Sequence, residues 1–204
     1  VKSEYDFEKA NVVVSIGADF LGTFGNHISN TKQYTRRRSA KHELGMNRHI
    51  QVEGIMSLTG SNADFRYTKS TIDQRDIILA VYAALGGPAH KVKSENKEVA
   101  AQIVKELRAN AGKSLFLVGD NDVNAQVVAN KINESLGNYG NTVMVSQSQG
   151  EVLASDEAFE DLVDRMNAGS VSAVMFVGVN PVYSFHNTAK LTKALTKVKT
   201  RVSF

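Results

Sequence analysis

Residues 12–26 read VVVSIGADFLGTFGN, and residues 173–187 read AVMFVGVNPVYSFHN. The second stretch begins 161 residues after the first (173 − 12). At that one offset Gly17 aligns with Gly178, Asp19 with Asn180, Phe24 with Phe185 and Asn26 with Asn187. A third copy, LFLVGDND at 115–122, matches at Gly119 and Asn121. Each copy is an apolar run, then Gly, then Asp or Asn two residues later. A run of four or five apolar residues without alternation is what a parallel strand covered on both faces looks like. A Gly at its end allows a left-handed turn or a close backbone approach.

The surrounding chain fits the same architecture. Four runs are predicted as buried strands: 12–16 (VVVSI), 115–118 (LFLV), 142–145 (TVMV) and 173–177 (AVMFV). Helix-period segments separate them at 72–85, 95–110, 123–136, 156–167 and 187–198. Ser70 with Asp73 has capping-box spacing, Ser94 stands where a cap for 95–110 is expected, and Gly137-Asn138 reads as a stop. Alternating strands and helices predict an α/β fold, a doubly wound and mostly parallel sheet with helices on both faces.

In such sheets ligands bind beyond the carboxyl ends of the strands. Gly17, Asp19, Gly119, Asn121, Gly178, Asn180 and Pro181 therefore form the candidate binding set. An Asp or Asn there can accept hydrogen bonds from a ribose or a guanine, and a following helix N-terminus offers donors to phosphate. The competing reading is ordinary turn and cap chemistry, which favours the same residues. None of the copies is G-x-G-x-x-G, and no P-loop is present, so a common NAD or ATP site has little support.

Composition narrows the classes further. The chain has 204 residues, enough for one substantial core. It has no cysteine, which excludes disulfides, thiolate metal sites, cysteine-ligated iron–sulfur clusters and a cysteine nucleophile within it. Lys and Arg number 24 against 21 Asp and Glu, a net charge of +3, which argues against a nucleic-acid binder. Mean hydropathy is −0.23, and no apolar run approaches a membrane span. The chain opens on Val1 and closes on strand-like Arg201–Phe204, so it is expected to be a single α/β fragment, 1–204, of a longer chain. Gly86-Gly87-Pro88 suggests a lobe break near 86–94, between an N-terminal lobe 1–85 and a Rossmann-like lobe 95–204.

Residues 25–69 show no clear period and are expected as a long polar loop. Within it, His42, Arg48, His49 and Glu53 lie close in sequence. His49 and Glu53 would share a helix face were 46–58 helical, but a metal site needs a third convergent ligand, and a polar interface loop is favoured. Arg36-Arg37-Arg38 is expected as a solvated or subunit-contacting run. Ser57, Thr59, Ser61, Asn62 and Asp64 form a polar loop without a histidine spaced to activate a serine, so no hydrolase triad is supported. Loop-internal hydrogen bonding is the favoured reading there. The acidic residues of 156–164 are expected on a solvated helix face, and the five methionines as core filling.

The motifs also carry a family resemblance. GVNPVYSF at 178–185, an Asn-Pro directly after a strand and a Gly, resembles the turns of the molybdopterin oxidoreductase superfamily that face guanine dinucleotide ends of the pterin cofactor. SIGADFLGTF near 12–24, HIQVEGIMSLTGSNADFR at 49–66 and LGNYGNTV at 136–143 are similar to the iron–sulfur subunit of alternative complex III, a quinol-oxidising respiratory complex. The resemblance spans nearly the whole chain and is most specific at 12–24, 49–66 and 173–204.

It implies a molybdopterin-oxidoreductase-like domain that has lost its molybdenum cofactor. It would have a structural or docking role in quinol-linked electron transfer and no catalytic centre of its own. The iron–sulfur clusters would lie elsewhere in the parent chain. Its partners would be other domains of that chain and subunits of a membrane complex. Its place would be the periplasmic face of the inner membrane, peripheral and without a span. The alternative is the molybdopterin guanine dinucleotide-binding part of an active molybdenum oxidoreductase. Asp19, where the second copy has Asn180, would then either repel phosphate or pair with guanine. A stand-alone nucleotide-binding enzyme is the third reading.

Overall fold

The structure, a computed structural model, describes residues 2–146 and 155–204. In chain order its elements are β1 (Lys2–Tyr5), β2 (Val12–Ile16), α1 (His27–Arg37), β3 (Arg48–Glu53), α2 (Leu58–Ser61), β4 (Phe65–Thr68), α3 (Thr71–Ala84), α4 (Ser94–Ala109), β5 (Ser114–Val118), α5 (Val123–Ser135), β6 (Val143–Ser146), α6 (Asp156–Asn167), β7 (Ala173–Phe176), α7 (Pro181–Ser184), α8 (Thr188–Lys197) and β8 (Thr200–Ser203). The chain divides into two compact units, 1–148 and 149–204. The segment 86–94, expected as a lobe break, instead joins α3 to α4 inside the first unit, where those two helices pack on each other.

The first unit is a doubly wound α/β fold. Its sheet is parallel, in the order β4-β3-β2-β5. Every residue of β2 and β5 is buried, as their continuous apolar runs require. On one face Val12, Val14, Ile16, Ile50, Val52, Phe116 and Val118 pack under α3, α4 and α5. These helices contribute Ile77, Ile78, Val81, Val99, Ile103, Leu107 and Ile132. Burying each such side chain fully is worth about 1.5–3 kcal/mol, so this layer dominates the stability of the unit. On the other face Val13, Leu115 and Leu117 pack with Phe7, Phe20, Leu21 and Tyr34 of α1.

Two expectations change here. Residues 25–69 are not an aperiodic loop but hold α1, β3, α2 and β4. α1 escapes an apolar pattern because the residues it buries are Asn30, Tyr34 and Arg37. β3 escapes because alternate residues, His49, Gln51 and Glu53, are polar yet buried on the second face. The strand near 142–145 forms, but at 143–146, and it pairs antiparallel with β1 rather than joining the parallel sheet. Val143 at its start is buried in the core, and Val145 is exposed.

Caps follow the sequence in most places. Ser70 accepts from Asp73 N and donates to the Asp73 carboxylate at 2.6 Å. Asp122, Ser155 and Asn187 cap α5, α6 and α8 with their side chains. Ser94 does not cap α4; it is the first helical residue, after Lys93. Lys93 Nζ and Asn96 Nδ2 instead donate to Asp73, tying the start of α4 to the start of α3.

The second unit pairs β7 and β8 in parallel. Its core is Val163 and Met166 of α6, Leu191 and Ala194 of α8, and Val198. Its strands are not covered on both faces as expected of 173–177: Ala173 and Met175 are exposed while Val174 packs on the helices.

Candidate functional site

β2 lies inside the sheet, with β3 on one side and β5 on the other. The chain leaves β2 towards β3 and β4, then returns to β5 across β2. This reversal makes the carboxyl ends of β2 and β5 the topological switch point, the place where open α/β sheets hold ligands. Two of the three candidate glycines meet there. Gly17 takes φ +67° and donates its N–H to Val52 O at 2.8 Å. Gly119 donates to Ile16 O at 2.9 Å, and a Cβ on it would fall 2.1 Å from Gly17 O. Gly119 is thus required for close approach of two backbones, not for a left-handed turn.

The side chains beside these two glycines differ in their surroundings. Asp19 Oδ1 accepts from Thr59 N at 3.1 Å and from Thr59 Oγ1 at 2.7 Å. The Asp19 carbonyl accepts from Gly22, Thr23 and Phe24 N, closing the turn. Asn121 is exposed, and its neighbours hold the loop: Asp120 accepts from Asp122 N at 2.9 Å and from Arg75 Nε at 2.8 Å. That bond from Arg75, with its charge, holds the Asp120 carboxyl below its ordinary range. A shallow cavity of about 130 Å³ beside the loop is lined by Arg75, Ile78, Leu79, Asp122 and Val128 among others, and is mainly apolar.

The second unit repeats most of the backbone bonding of the first turn. Gly178 takes φ +62° and donates to Phe204 O on the adjacent parallel strand at 3.1 Å. The Asn180 carbonyl accepts from Tyr183 and Ser184 N, and its side chain accepts from Tyr183 N at 3.3 Å. Pro181 opens α7, where its missing N–H costs nothing. Asn26 Oδ1 accepts from Ser29 N and Asn187 Oδ1 from Lys190 N, so both N-caps also fall at the 161-residue offset. The repeat seen in sequence is a repeated strand–turn–helix–strand.

A pterin guanine dinucleotide would bring a pyrophosphate to the switch point. The groups there do not fit it. Three carboxylates, Asp19, Asp120 and Asp122, border the loops after β2 and β5. The guanidinium among them, Arg75, already pairs with Asp120 and lies 3.8 Å from Asp122. The N-terminus of α5, where phosphate would sit, is occupied by the Asp122 carboxylate.

Sequence reasoning missed a buried polar ladder on the second face of β3. Tyr34 Oη lies 3.0 Å from His49 Nδ1 and also 3.0 Å from Asn62 O. His49 Nε2 lies 3.4 Å from Gln51 Oε1, and Gln51 Nε2 donates to Glu53 Oε2 at 3.1 Å. Ser57 Oγ donates to Glu53 at 2.6 Å and Arg66 Nε at 2.5 Å. When His49 carries its proton on Nε2, the single Tyr34 proton goes to His49 Nδ1 rather than to Asn62 O, and the donors run in one direction. Burial pushes the His49 pKa down to about 4 and lifts that of Tyr34 to about 12. Burial alone would raise the Glu53 carboxyl, but bonds from Ser57, Arg66 and Gln51 outweigh it and hold it low. The signal was the alternation H-x-Q-x-E, which fits a strand. It replaces the helix face considered for His49 and Glu53, and Gln51 stands between the two.

The loop Ser57–Asp64 is bonded internally and to the strands. Ser57 caps α2, Asn62 Nδ2 donates to Leu58 O, and Asp64 accepts from His49 N and, through both oxygens, from Arg38. Of the arginine run, Arg36 is solvated as expected, whereas Arg37 and Arg38 are not. Arg38 is bidentate on Asp64, Arg37 is buried, and Arg36 lies 3.8 Å from Glu8. His42 also approaches Glu8, and Arg48 pairs with Glu106, so neither converges on His49. Among the described residues no three His, Asp or Glu side chains gather as metal ligands, and no helix is long and apolar enough to cross a membrane. A scan of protein-family models finds no match to the chain, and a search of curated proteins finds none.

Proposed function

We propose that the chain is a molybdopterin-oxidoreductase-like domain that serves as a scaffold and docking body in a respiratory iron–sulfur subunit, without a catalytic centre of its own. The observation that carries this reading is the fate of the turn side chains. Asn180, Asn26 and Asn187 spend their side-chain oxygens on the protein's own backbone, and Asp19 spends Oδ1 on Thr59 N and Oγ1. The carboxylates around Gly17 and Gly119 further oppose a pyrophosphate. A docking role is supported by apolar side chains just beyond the carboxyl ends of β3, β4 and β5. Ile55 is 89% exposed there, and Met56, Leu58, Ile72 and Val123 are exposed with it. Exposed apolar groups collected on one edge are the usual mark of an interaction surface. On this reading the domain sits at the outer face of an energy-transducing membrane, against neighbouring subunits.

The test is metal and pterin analysis of the parent protein isolated with its partner subunits. The expected result is no stoichiometric molybdenum or pterin. Stoichiometric pterin would overturn the reading. Ile55→Asp with Met56→Asp is expected to release the protein from its partners while its circular dichroism is unchanged.

A further inference from the structure

The amino edge of the first unit's sheet, opposite the switch point, contains a charge without a counter-ion. Arg37 ends α1 and is 1% exposed. Its Nη2 donates to Asn11 Oδ1 at 2.7 Å, while Nε and Nη1 have no hydrogen-bond partner. No carboxylate pairs with it among the described residues. A buried guanidinium satisfied only by a neutral amide is costly, because desolvation is not repaid by an ion pair. Asn47, whose carbonyl accepts from Arg38 Nη1, is buried as well, and neither atom of its carboxamide has a partner.

Arginine can only donate. Asn11 must therefore turn Oδ1 to Arg37, which aims its Nδ2 donor the other way. Asn11 lines a cavity of about 470 Å³ together with Lys9, Leu44, Ala111, Gly112, Lys113 and Asn141. Two lysines and two asparagines are among the residues that line the cavity, and none of its lining residues is acidic. Asn141 Nδ2 gives one hydrogen to Gly137 O and keeps a second. Lys9 is steadied by Asp6 at 3.1 Å. A donor-rich, cationic cavity backed by an uncompensated buried arginine is short of one thing, negative charge.

We propose that this cavity binds a small oxyanion, a phosphate or carboxylate group, held by Lys113, Lys9 and the Asn11 amide. Arg37 is a positioning residue: it fixes which way Asn11 points and adds buried positive charge behind it. The anion completes the charge balance of the amino edge. The site shares no residue with the carboxyl edge and does not depend on the function proposed above.

The experiment titrates the whole chain with inorganic phosphate, and separately with acetate, at ionic strength held constant with sodium chloride. The side-chain amide of Asn11, the Arg37 Nε–H and the Tm are followed. Saturable shifts at Asn11 with phosphate, and a rising Tm, are expected because a ligand of the folded state stabilises it by mass action. Saturation with acetate alone identifies a carboxylate instead. Lys113→Gln is expected to weaken the apparent affinity about tenfold or more, since a hydrogen bond to a charged group is lost. Arg37→Met keeps the buried volume, so the fold is expected to survive while the Asn11 response is lost, and Arg37→Lys is expected to restore it. If Arg37→Met does not fold, Lys113→Gln decides. Linear, unsaturating shifts with both anions, or an unchanged affinity in Lys113→Gln, overturn the proposal.

Discussion

Lowering the pH from 7 to 5 is expected to destabilise the first unit through one side chain, His49. It is fully buried between β3 and α1, with Phe20 and Tyr34 against its ring. Its charged neighbours are Asp64 and Arg38, which oppose each other, and burial dominates. The folded-state pKa is about 4 against an ordinary 6.5. A depressed histidine favours folding when neutral. Its contribution is complete above pH 6.5, falls as the unfolded chain takes up the proton, and is gone below about 4. The whole difference is worth about 3 kcal/mol, and about 2 kcal/mol of it is lost by pH 5. Glu53 and Asp64 have carboxyls held below their ordinary range, so their losses come at lower pH and do not enter this window. The assay is native-state hydrogen exchange of the Ile50 and Val52 amides, which reports the opening free energy of β3 itself. His49→Gln is expected to cost about 1 kcal/mol at pH 7, for the hydrogen bond to Tyr34, but to be flat from pH 7 to 5. The other histidines are present in both proteins and cancel. The same loss in His49→Gln as in the unaltered chain would refute the reasoning.

Other substitutions test other layers. Gly119→Ala places a methyl 2.1 Å from Gly17 O and is expected to cost about 1–3 kcal/mol as an overpacked contact, measured by urea denaturation. Gly178→Ala meets open space, so only its left-handed φ is penalised, by about 1–2 kcal/mol. Leu107→Ala removes a fully buried side chain of α4 and is expected to cost about 2–5 kcal/mol. Glu53→Gln breaks the ion pair with Arg66 beneath α2 and is expected to lower stability by roughly 2 kcal/mol and to raise exchange at Thr59 and Gly60.

What could be read in the sequence was whatever apolar periodicity reports. β2 and β5 were legible because both faces of each are apolar. α3 and α5 were legible because an apolar stripe meets a cap or a stop. Residues 25–69 were not, because their contribution to the core is polar. Periodicity counts apolar side chains, whereas His49, Gln51 and Glu53 are buried by bonding one another, Asn30 by donating to the Phe20 and Phe24 carbonyls, and Arg37 with a single bond to Asn11. Two of the three arginines misled for the same reason: Arg37 and Arg38 read as solvated until α1 is packed on the sheet and Asp64, far along the chain, is brought to Arg38. Strand partnership was equally out of reach, since nothing in residues 142–145 says that β1 will claim them.

The repeat separates turn chemistry from ligand chemistry, which sequence left open between them. If Gly and Asx at 17–19 and 178–180 served a shared ligand, their side-chain oxygens should point outward and local hydrogen bonds would be spare. Instead both glycines donate to the neighbouring parallel strand, both Asx carbonyls close a turn, and both asparagines cap the following helix. The copies differ only where their surroundings differ. Asp19 reaches Thr59 across 40 residues because α2 lies above it, while Asn180 bonds its own helix start. A strand that must end, turn left-handed and enter a helix is enough to require this pattern. Ligand binding is not needed to account for it. The duplicated element is therefore a folding unit first, and any cofactor site in a chain of this kind has to be argued from the charge around the glycines. Here that charge is Asp19, Asp120 and Asp122 against Arg75.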